Sequence, residues 1–213
     1  LFPNTVANAA AGNAAIEHNL KGPNITFIQR FCSAESALMA ACRFIEEGRA
    51  DLMLAGGVDE LTPQMMRGFA ATGQLRSHAS GFGEGCGMVL LERADHAVQR
   101  KARIMARIAV VGTVGLLLPG RESRAAEHLL DGRLSCHQLA ISGVETAAEP
   151  FRCRISAENT AIPGAFIGRS LAMGGNVMAW LASTLVQGQS GIHLAASPEG
   201  PFYAVSMIGG YSD

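Results

Sequence analysis

The chain has 213 residues, of which 48% are hydrophobic and 16% charged, so it can bury a sizeable core as one domain. Its formal net charge is −1, so no basic field points to a nucleic-acid partner. The longest apolar stretch, residues 108–118, is too short to span a bilayer, and the N-terminus has no signal-peptide pattern.

The five cysteines form no Cys-x-x-Cys pair and no metal-ligand spacing with histidine. Their odd number indicates reduced thiols in a cytosolic protein, and we expect no metal. Residues 81–87 are glycine-rich, but they do not form the Gly-x-Gly-x-x-Gly pattern that opens a nucleotide-binding helix. We therefore expect no cofactor.

The hydrophobic pattern predicts helices and strands in alternation. Residues 8–19 favour a helix with Asn8 as its cap, residues 24–31 an apolar strand, and residues 33–47 a helix that Gly48 ends. Alternating elements of this kind indicate a mixed α/β sheet with helices on its faces. Further strands are expected at 52–55, 88–91, 108–111, 139–141 and 203–208, and a second Ala-rich helix at 171–185.

One segment is typical of a reactive helix start. Gly22-Pro23 precedes the predicted strand, and Cys32-Ser33-Ala34-Glu35 opens the predicted helix. That helix runs to Gly48-Arg49-Ala50-Asp51, and a short strand then ends in Ala55-Gly56-Gly57. This order resembles the nucleophile turn and buried helix of the β-ketoacyl synthases. Residues 2–12 and Gly83-Glu84-Gly85-Cys86-Gly87 also resemble segments of that family.

The resemblance is weaker in the second half of the chain. Residues 167–175 resemble the family's Thr-Gly-His-x-x-Gly-Ala-Ala-Gly segment, and residues 141–146 can be laid on its His-Gly-Thr-x-Thr turn. Residues 206–210 are a shortened form of its glycine-rich C-terminal motif.

The resemblance implies a thiolase-like layered fold, with two sheets sandwiched by helices, as a single domain over residues 1–213. Residues 1–109 would match the nucleophile half, and residues 110–213 a degenerate, shortened C-terminal half. The family's first strands and helices have no counterpart, so we expect a fold that is incomplete at the N-terminus. Either the chain is a short relative, or the sequence omits a preceding part.

The resemblance also implies a site that has lost its reacting groups. Ketosynthases use a cysteine thiolate and two histidines. Counting back from Gly48 by the family's spacing places the nucleophile at Phe31, and the two histidine positions fall on Ser142 and Arg169. Phenylalanine has no nucleophilic atom, serine is no acid or base near neutral pH, and arginine does not release its proton. The usual mechanism is therefore expected to be absent.

Cys32 carries the alternative hypothesis, because it is one residue after the nucleophile position. At a helix start its pKa would fall, and a bulge could point its sulfur into the site. The contrasting interpretation is a small buried hydrophobe. Of the six histidines, His137 lies closest in sequence to the Ser142 turn.

An inactive ketosynthase-like chain resembles the chain length factors of type II polyketide and aryl polyene systems. That resemblance implies an active ketosynthase as partner, an acyl carrier protein reached through the complex, and a shared acyl tunnel. Residues 8–15 and 24–31 would lie in the interface. Phe31 is expected to fill the vestigial pocket, and Glu35, Leu38 and Met39 to face the partner's tunnel. Two alternatives stay open: an active acyltransferase using Cys32, and a purely structural thiolase-fold dimer.

Overall fold

The computed structural model describes residues 6–73, 75, 81–198 and 200–210. Its helices are α1 (Ala9–Glu17), α2 (Ser33–Glu46), α3 (Pro63–Ala71), α4 (Ala94–Gln99), α5 (Glu122–Leu130), α6 (Glu145–Arg152), α7 (Gly164–Ile167) and α8 (Gly174–Thr184). Its strands are β1 (Leu52–Asp59), β2 (Gly85–Glu92), β3 (Ala106–Val114), β4 (Ser135–Gly143), β5 (Ser156–Ala161), β6 (Ser190–Ala196) and β7 (Phe202–Gly209).

The strands form two sheets, and helices pack on them in layers. β1 and β2 pair antiparallel, and the larger sheet has the order β3-β7-β6-β4-β5. Helices α2 and α8 share one apolar core with both sheets, while α5 and α6 cover the opposite face of the larger sheet. The expected α/β layered architecture is confirmed. The outward face of the small sheet carries exposed Leu54, Val58 and Leu90.

Helix α2 forms the centre of the molecule because its apolar residues recur on one face. Ala34, Leu38, Ala41 and Ile45 are spaced four, three and four residues apart, and all are buried. That spacing places them on a single stripe of an α-helix. Gly48 follows the helix at a φ of +67°, a left-handed conformation that glycine adopts without steric cost. The predicted helix over residues 33–47 is confirmed within one residue.

Glycines let α8 approach the small sheet at backbone distance. A Cβ added to Gly175 would lie 1.9 Å from the Gly87 carbonyl oxygen, and one added to Gly57 would lie 2.3 Å from the Ala172 carbonyl oxygen. No side chain fits into such a contact. The glycine-rich segments around residues 83–87 and 174–175 therefore serve close packing.

The predicted strand over residues 24–31 is wrong. Residues 24–29 adopt no regular structure, and Arg30–Cys32 form a 3₁₀ turn. A strand needs a neighbour for its backbone groups, and no strand of the described residues pairs with this segment. Arg30 also has a φ of +52°, which breaks an extended chain before the helix.

The first predicted helix is confirmed as α1, but it is not packed. None of its nine residues is buried, and no residue from 6 to 30 is buried. Asn8 stands at the helix start, where its side chain makes no capping hydrogen bond. We refer to residues 6–28 as the N-terminal arm.

Candidate functional site

The three matched positions converge on the turn between β4 and α6. Ser142 is the penultimate residue of β4, and Gly143 turns the chain at a φ of +78°. A Cβ added to Gly143 would lie 3.1 Å from Cβ of Phe31. Arg169 forms an ion pair with Glu145, the first residue of α6. Phe31 and Arg169, which are distant in sequence, thus both lie against residues 142–145.

Phe31 fills the position that the resemblance gives to the nucleophile. Its side chain is 2% exposed and lies in the 3₁₀ turn that leads into α2. The neighbouring turn has little room, because a Cβ on Gly143 would also lie 2.1 Å from the Ala196 carbonyl oxygen. The aromatic ring is therefore part of the packed interior and offers no reacting atom.

Cys32 is fully buried. Its thiol donates a 3.2 Å hydrogen bond to the Pro201 carbonyl, and the Ser197 hydroxyl donates to its sulfur at 3.7 Å. Burial raises the pKa of the Cys32 thiol far above its usual range, and the nearby Glu35 carboxyl raises it further. The expected lowering of its pKa at the helix start is wrong, because desolvation outweighs the helix dipole.

A histidine that sequence reasoning missed lies beside Ser142. Ala140 and His193 are register partners in neighbouring strands, so Ser142 and His193 are diagonal neighbours on one face of the sheet. The Ser142 hydroxyl lies 2.8 Å from Nε2 of His193. His137, the nearest histidine in sequence, instead bonds Ser190 with Nδ1. Sheet pairing, which the sequence does not display, decides which histidine reaches the turn.

Glu35 completes this buried cluster. Its Oε1 lies 3.4 Å from Nε2 of His193, and both side chains are 0% exposed. Burial raises the pKa of Glu35 to about 8, against smaller opposing effects of its own backbone and of Ser142. Burial lowers the pKa of His193 to about 3. Near neutral pH the carboxyl is therefore protonated and the imidazole uncharged.

The cluster does not have the geometry of a nucleophilic triad. In a serine–histidine–acid triad the acid holds one ring nitrogen and the serine uses the other. Here Ser142 and Glu35 both approach Nε2 of His193. The carboxyl therefore cannot orient the imidazole toward Ser142 as a base.

Arg169 is held as a buried ion pair in the segment before α8. It is 1% exposed, its backbone bonds residues 81 and 83, and one guanidinium nitrogen bonds a Glu145 carboxylate oxygen. Within the described ranges, its Nε and second terminal nitrogen have no hydrogen-bond partner. An arginine remains protonated, so this position supplies a fixed charge and no acid–base step.

The expected tunnel residues have different surroundings. Glu35 and Leu38 are fully buried within their own chain, which corrects the expectation that they face a partner. The cause is the position of α2, whose first turns pack between the two sheets. Met39 is partly exposed and packs beside Cys32, Ala195 and Tyr203.

Two further properties concern the described part of the chain. No helix there is long and apolar enough to cross a membrane. No group of three or more His, Cys, Asp or Glu side chains in those same residues is placed to hold a metal ion.

Comparison with known sequences finds a family match in the first half of the chain. Residues 1–97 match the model described as the β-ketoacyl synthase N-terminal domain. Relatives include the proteins named 3-oxoacyl-[acyl-carrier-protein] synthase 2 of Rhizobium meliloti and Vibrio cholerae, 31% and 34% identical over 170 and 130 residues. These matches cover 68% and 53% of this chain, but 39% and 31% of those proteins. The chain thus spans less than half of the curated relatives it matches.

Solved structures have the same fold. The ishigamide ketosynthase/chain length factor superposes with a TM-score of 0.79 at 22% identity, over 98% of this chain and 63% of that one. A type II PKS ketosynthase, solved with its acyl-carrier protein and bound to the hexaketide, gives 0.76 at 18% identity over 96% and 63%. Residues 1–97 thus match the β-ketoacyl synthase N-terminal domain, and the chain has the fold of solved ketosynthases.

Proposed function

We propose that this chain is a catalytically inactive ketosynthase-like subunit, equivalent to a chain length factor. It would pair with an active β-ketoacyl-ACP synthase and help shape the acyl tunnel in polyketide, aryl polyene or fatty-acid biosynthesis. The observation that carries the proposal is Phe31, a buried aromatic side chain at the position of the nucleophile. Without a thiolate there, the chain cannot take up the acyl group by the family's route.

The other matched positions support the same proposal. Ser142 has no basic atom of its own, and the histidine beside it is buried with its pKa lowered to about 3. The Arg169 guanidinium forms an ion pair with Glu145. Cys32 is buried, hydrogen-bonded to a backbone carbonyl, and a poor thiolate.

The N-terminal arm supports an obligate partner. Ile16 and Ile28 are 82% and 78% exposed, and Ile25 is 52% exposed. Exposed aliphatic side chains clustered on an unpacked segment are typical of an interface that a second chain covers. We expect this arm, including residues 8–15 and 24–28, to lie in a heterodimer interface that buries more than about 2,000 Å² in total, as obligate interfaces do.

The proposed partner is an active ketosynthase with the same fold. We infer that an acyl carrier protein delivers substrate to that partner and reaches this chain only through the complex. Residues 1–213 would act as one ketosynthase-like domain in it, within the cytosol. The names of the relatives, which are 3-oxoacyl-ACP synthases, and of the chain length factor neighbour support this class of pathway.

Co-expression with an active β-ketoacyl-ACP synthase tests the proposal. We expect the two chains to co-purify, and condensation of acyl- and malonyl-carrier proteins to require the partner's cysteine but not Cys32. Condensation by this chain alone, abolished in Cys32→Ala, would contradict the proposal and favour an acyltransferase. A stable homodimer that binds none of the ketosynthases tested would instead favour a purely structural role.

A further inference from the structure

The most unusual ionisable groups of the described residues are a carboxyl and an imidazole enclosed together. Glu35 on α2 and His193 on β6 are both 0% exposed, and their nearest polar atoms are 3.4 Å apart. A buried charge without compensation is strongly unfavourable, so such groups become neutral or share a proton. The pair plays no part in the proposed subunit function.

Among the described residues, the surroundings of the pair contain no strong counter-charge. From β4, Ser142 contributes a hydroxyl, and from the 3₁₀ turn, Cys32 contributes a thiol whose pKa burial keeps high. From α8, a glycine backbone faces the carboxyl: a Cβ on Gly174 would lie 1.9 Å from Oε1 of Glu35. Arg169 is paired with Glu145. In the part of the chain that the structure describes, His193 is thus the ionisable partner of Glu35, with Nε2 at 3.4 Å from Oε1.

The position of the pair connects it to the vestigial site. Glu35 lies one helical turn after Phe31, and Ser142, which bonds His193, directly precedes the glycine that touches Phe31. The pair therefore lies where α2 meets β4 and β6.

We propose that Glu35 and His193 share a single proton, held on Glu35, and that this proton makes the packing of α2 against β4 and β6 sensitive to pH. The proton is retained in the fold, where water cannot solvate a carboxylate, and is lost at the same pH in the unfolded chain. Folding stability should therefore record the number of protons that each state binds.

The direction of the effect changes across the pH range. The ordinary pKa of histidine is 6.5, and the pKa of Glu35 in the folded chain is about 8. Between these two pH values only the folded chain holds the proton, so the free energy of unfolding falls as pH rises. Between 4.5 and 6.5 the unfolded chain also holds one, on its histidine, so the pair contributes no slope. Between about 3 and 4.5 the unfolded chain holds two, so stability rises with pH.

The test is the unfolding equilibrium of the full chain in urea, measured from pH 4 to 8.5. In the wild type, the unfolding constant should increase by up to about tenfold per pH unit between 6.5 and 8. Glu35→Gln should abolish that increase. His193→Gln should extend it down to pH 4.5, because the compensating histidine proton is gone. Glu149→Gln, which changes an exposed carboxylate on α6, should retain the wild-type profile.

A second measurement keeps the proposal testable if a variant fails to fold. Infrared difference spectra of the wild type between pH 7 and 9 should contain the band of a protonated carboxylic acid at pH 7 and lose it by pH 9. Absence of that band at pH 7 would overturn the proposal. So would the same pH profile in the wild type and Glu35→Gln.

Discussion

Two apolar regions of this chain have opposite surroundings. The N-terminal arm contains no buried residue, whereas the segment that follows it, Phe31 to Leu38, is almost wholly enclosed by the two sheets and α8. Their compositions are similar, since both are rich in alanine and aliphatic or aromatic side chains. A hydrophobic segment is therefore expected to be buried, but its sequence does not reveal whether its own chain or a partner covers it. At the centre, the chain's own sheets and helices cover the segment. At the arm, we propose that the partner covers it.

The largest expected effect is at the centre. Phe31→Ala should lower the free energy of unfolding by about 3–5 kcal/mol, because the enclosed turn cannot collapse into the space left by the ring. Phe166→Ala is the matched control, since that side chain is 84% exposed and should cost within about 0.5 kcal/mol. Urea denaturation measures both variants. Equal losses of unfolding free energy in the two variants would show that the Phe31 ring is not packed in the interior.

At the arm the expected effect is on binding instead of stability. Ile28→Lys should weaken the complex with the ketosynthase by about 2 kcal/mol or more, while the free energy of unfolding of this chain stays unchanged. Val98→Lys, on α4, changes an apolar side chain that is 59% exposed and should leave affinity intact. Calorimetric titration measures the affinity of each variant for the ketosynthase. Loss of stability without loss of affinity at Ile28 would assign the arm to this chain's own fold.

Two glycine substitutions should have opposite signs. Gly174→Ala would place a methyl group 1.9 Å from the Glu35 carboxyl, so we expect a cost of about 1–3 kcal/mol. Gly12→Ala in α1 has nothing within 4 Å, so the gain in helix propensity should stabilise that helix by about 0.5–1 kcal/mol. Thermal denaturation measures the loss of stability in Gly174→Ala, and helix content measures the gain in Gly12→Ala. Effects of the same sign would contradict the difference in packing between the centre and the N-terminal arm.

The smallest effect is expected at Met39, the remaining candidate for the tunnel wall. Met39→Trp and Met39→Ala should shift the distribution of product lengths made by the reconstituted pair, in opposite directions. Mass spectrometry of the released acyl products measures this, with assembly checked by size-exclusion chromatography. An intact complex with an unchanged distribution for both variants would assign this chain a scaffolding role.

Much of the fold follows from local sequence signals. The apolar stripe of α2, its terminating Gly48, and the short apolar runs within β1, β2, β3, β4 and β7 are visible in the sequence, although every strand is longer than its run. Helices α5 and α6 were not predicted, because their apolar positions are few and broken by charged residues; α6 even contains Pro150. β6 was not predicted: Gly191 lies within it, and glycine is uncommon in the interior of a strand.

The candidate site was only partly predictable, for a physical reason. Phe31, Ser142 and Arg169 were identified from motif spacing, and the structure brings them to one turn. His193 could not be found in this way, because its proximity to Ser142 arises from the parallel register of β4 and β6. Glu35 was expected to face the partner's tunnel. Its burial depends on the close approach of α8 at Gly174, which local sequence does not reveal.

Acyl transfer to this chain is the most direct test of the account. The reconstituted complex is incubated with acyl-carrier protein, and the intact mass of each subunit is measured. We predict an acyl adduct on the ketosynthase partner and an unmodified mass for this chain, because Phe31 has no nucleophile and Cys32 is buried with a raised pKa. An acyl adduct on this chain that disappears in Cys32→Ala would contradict the account.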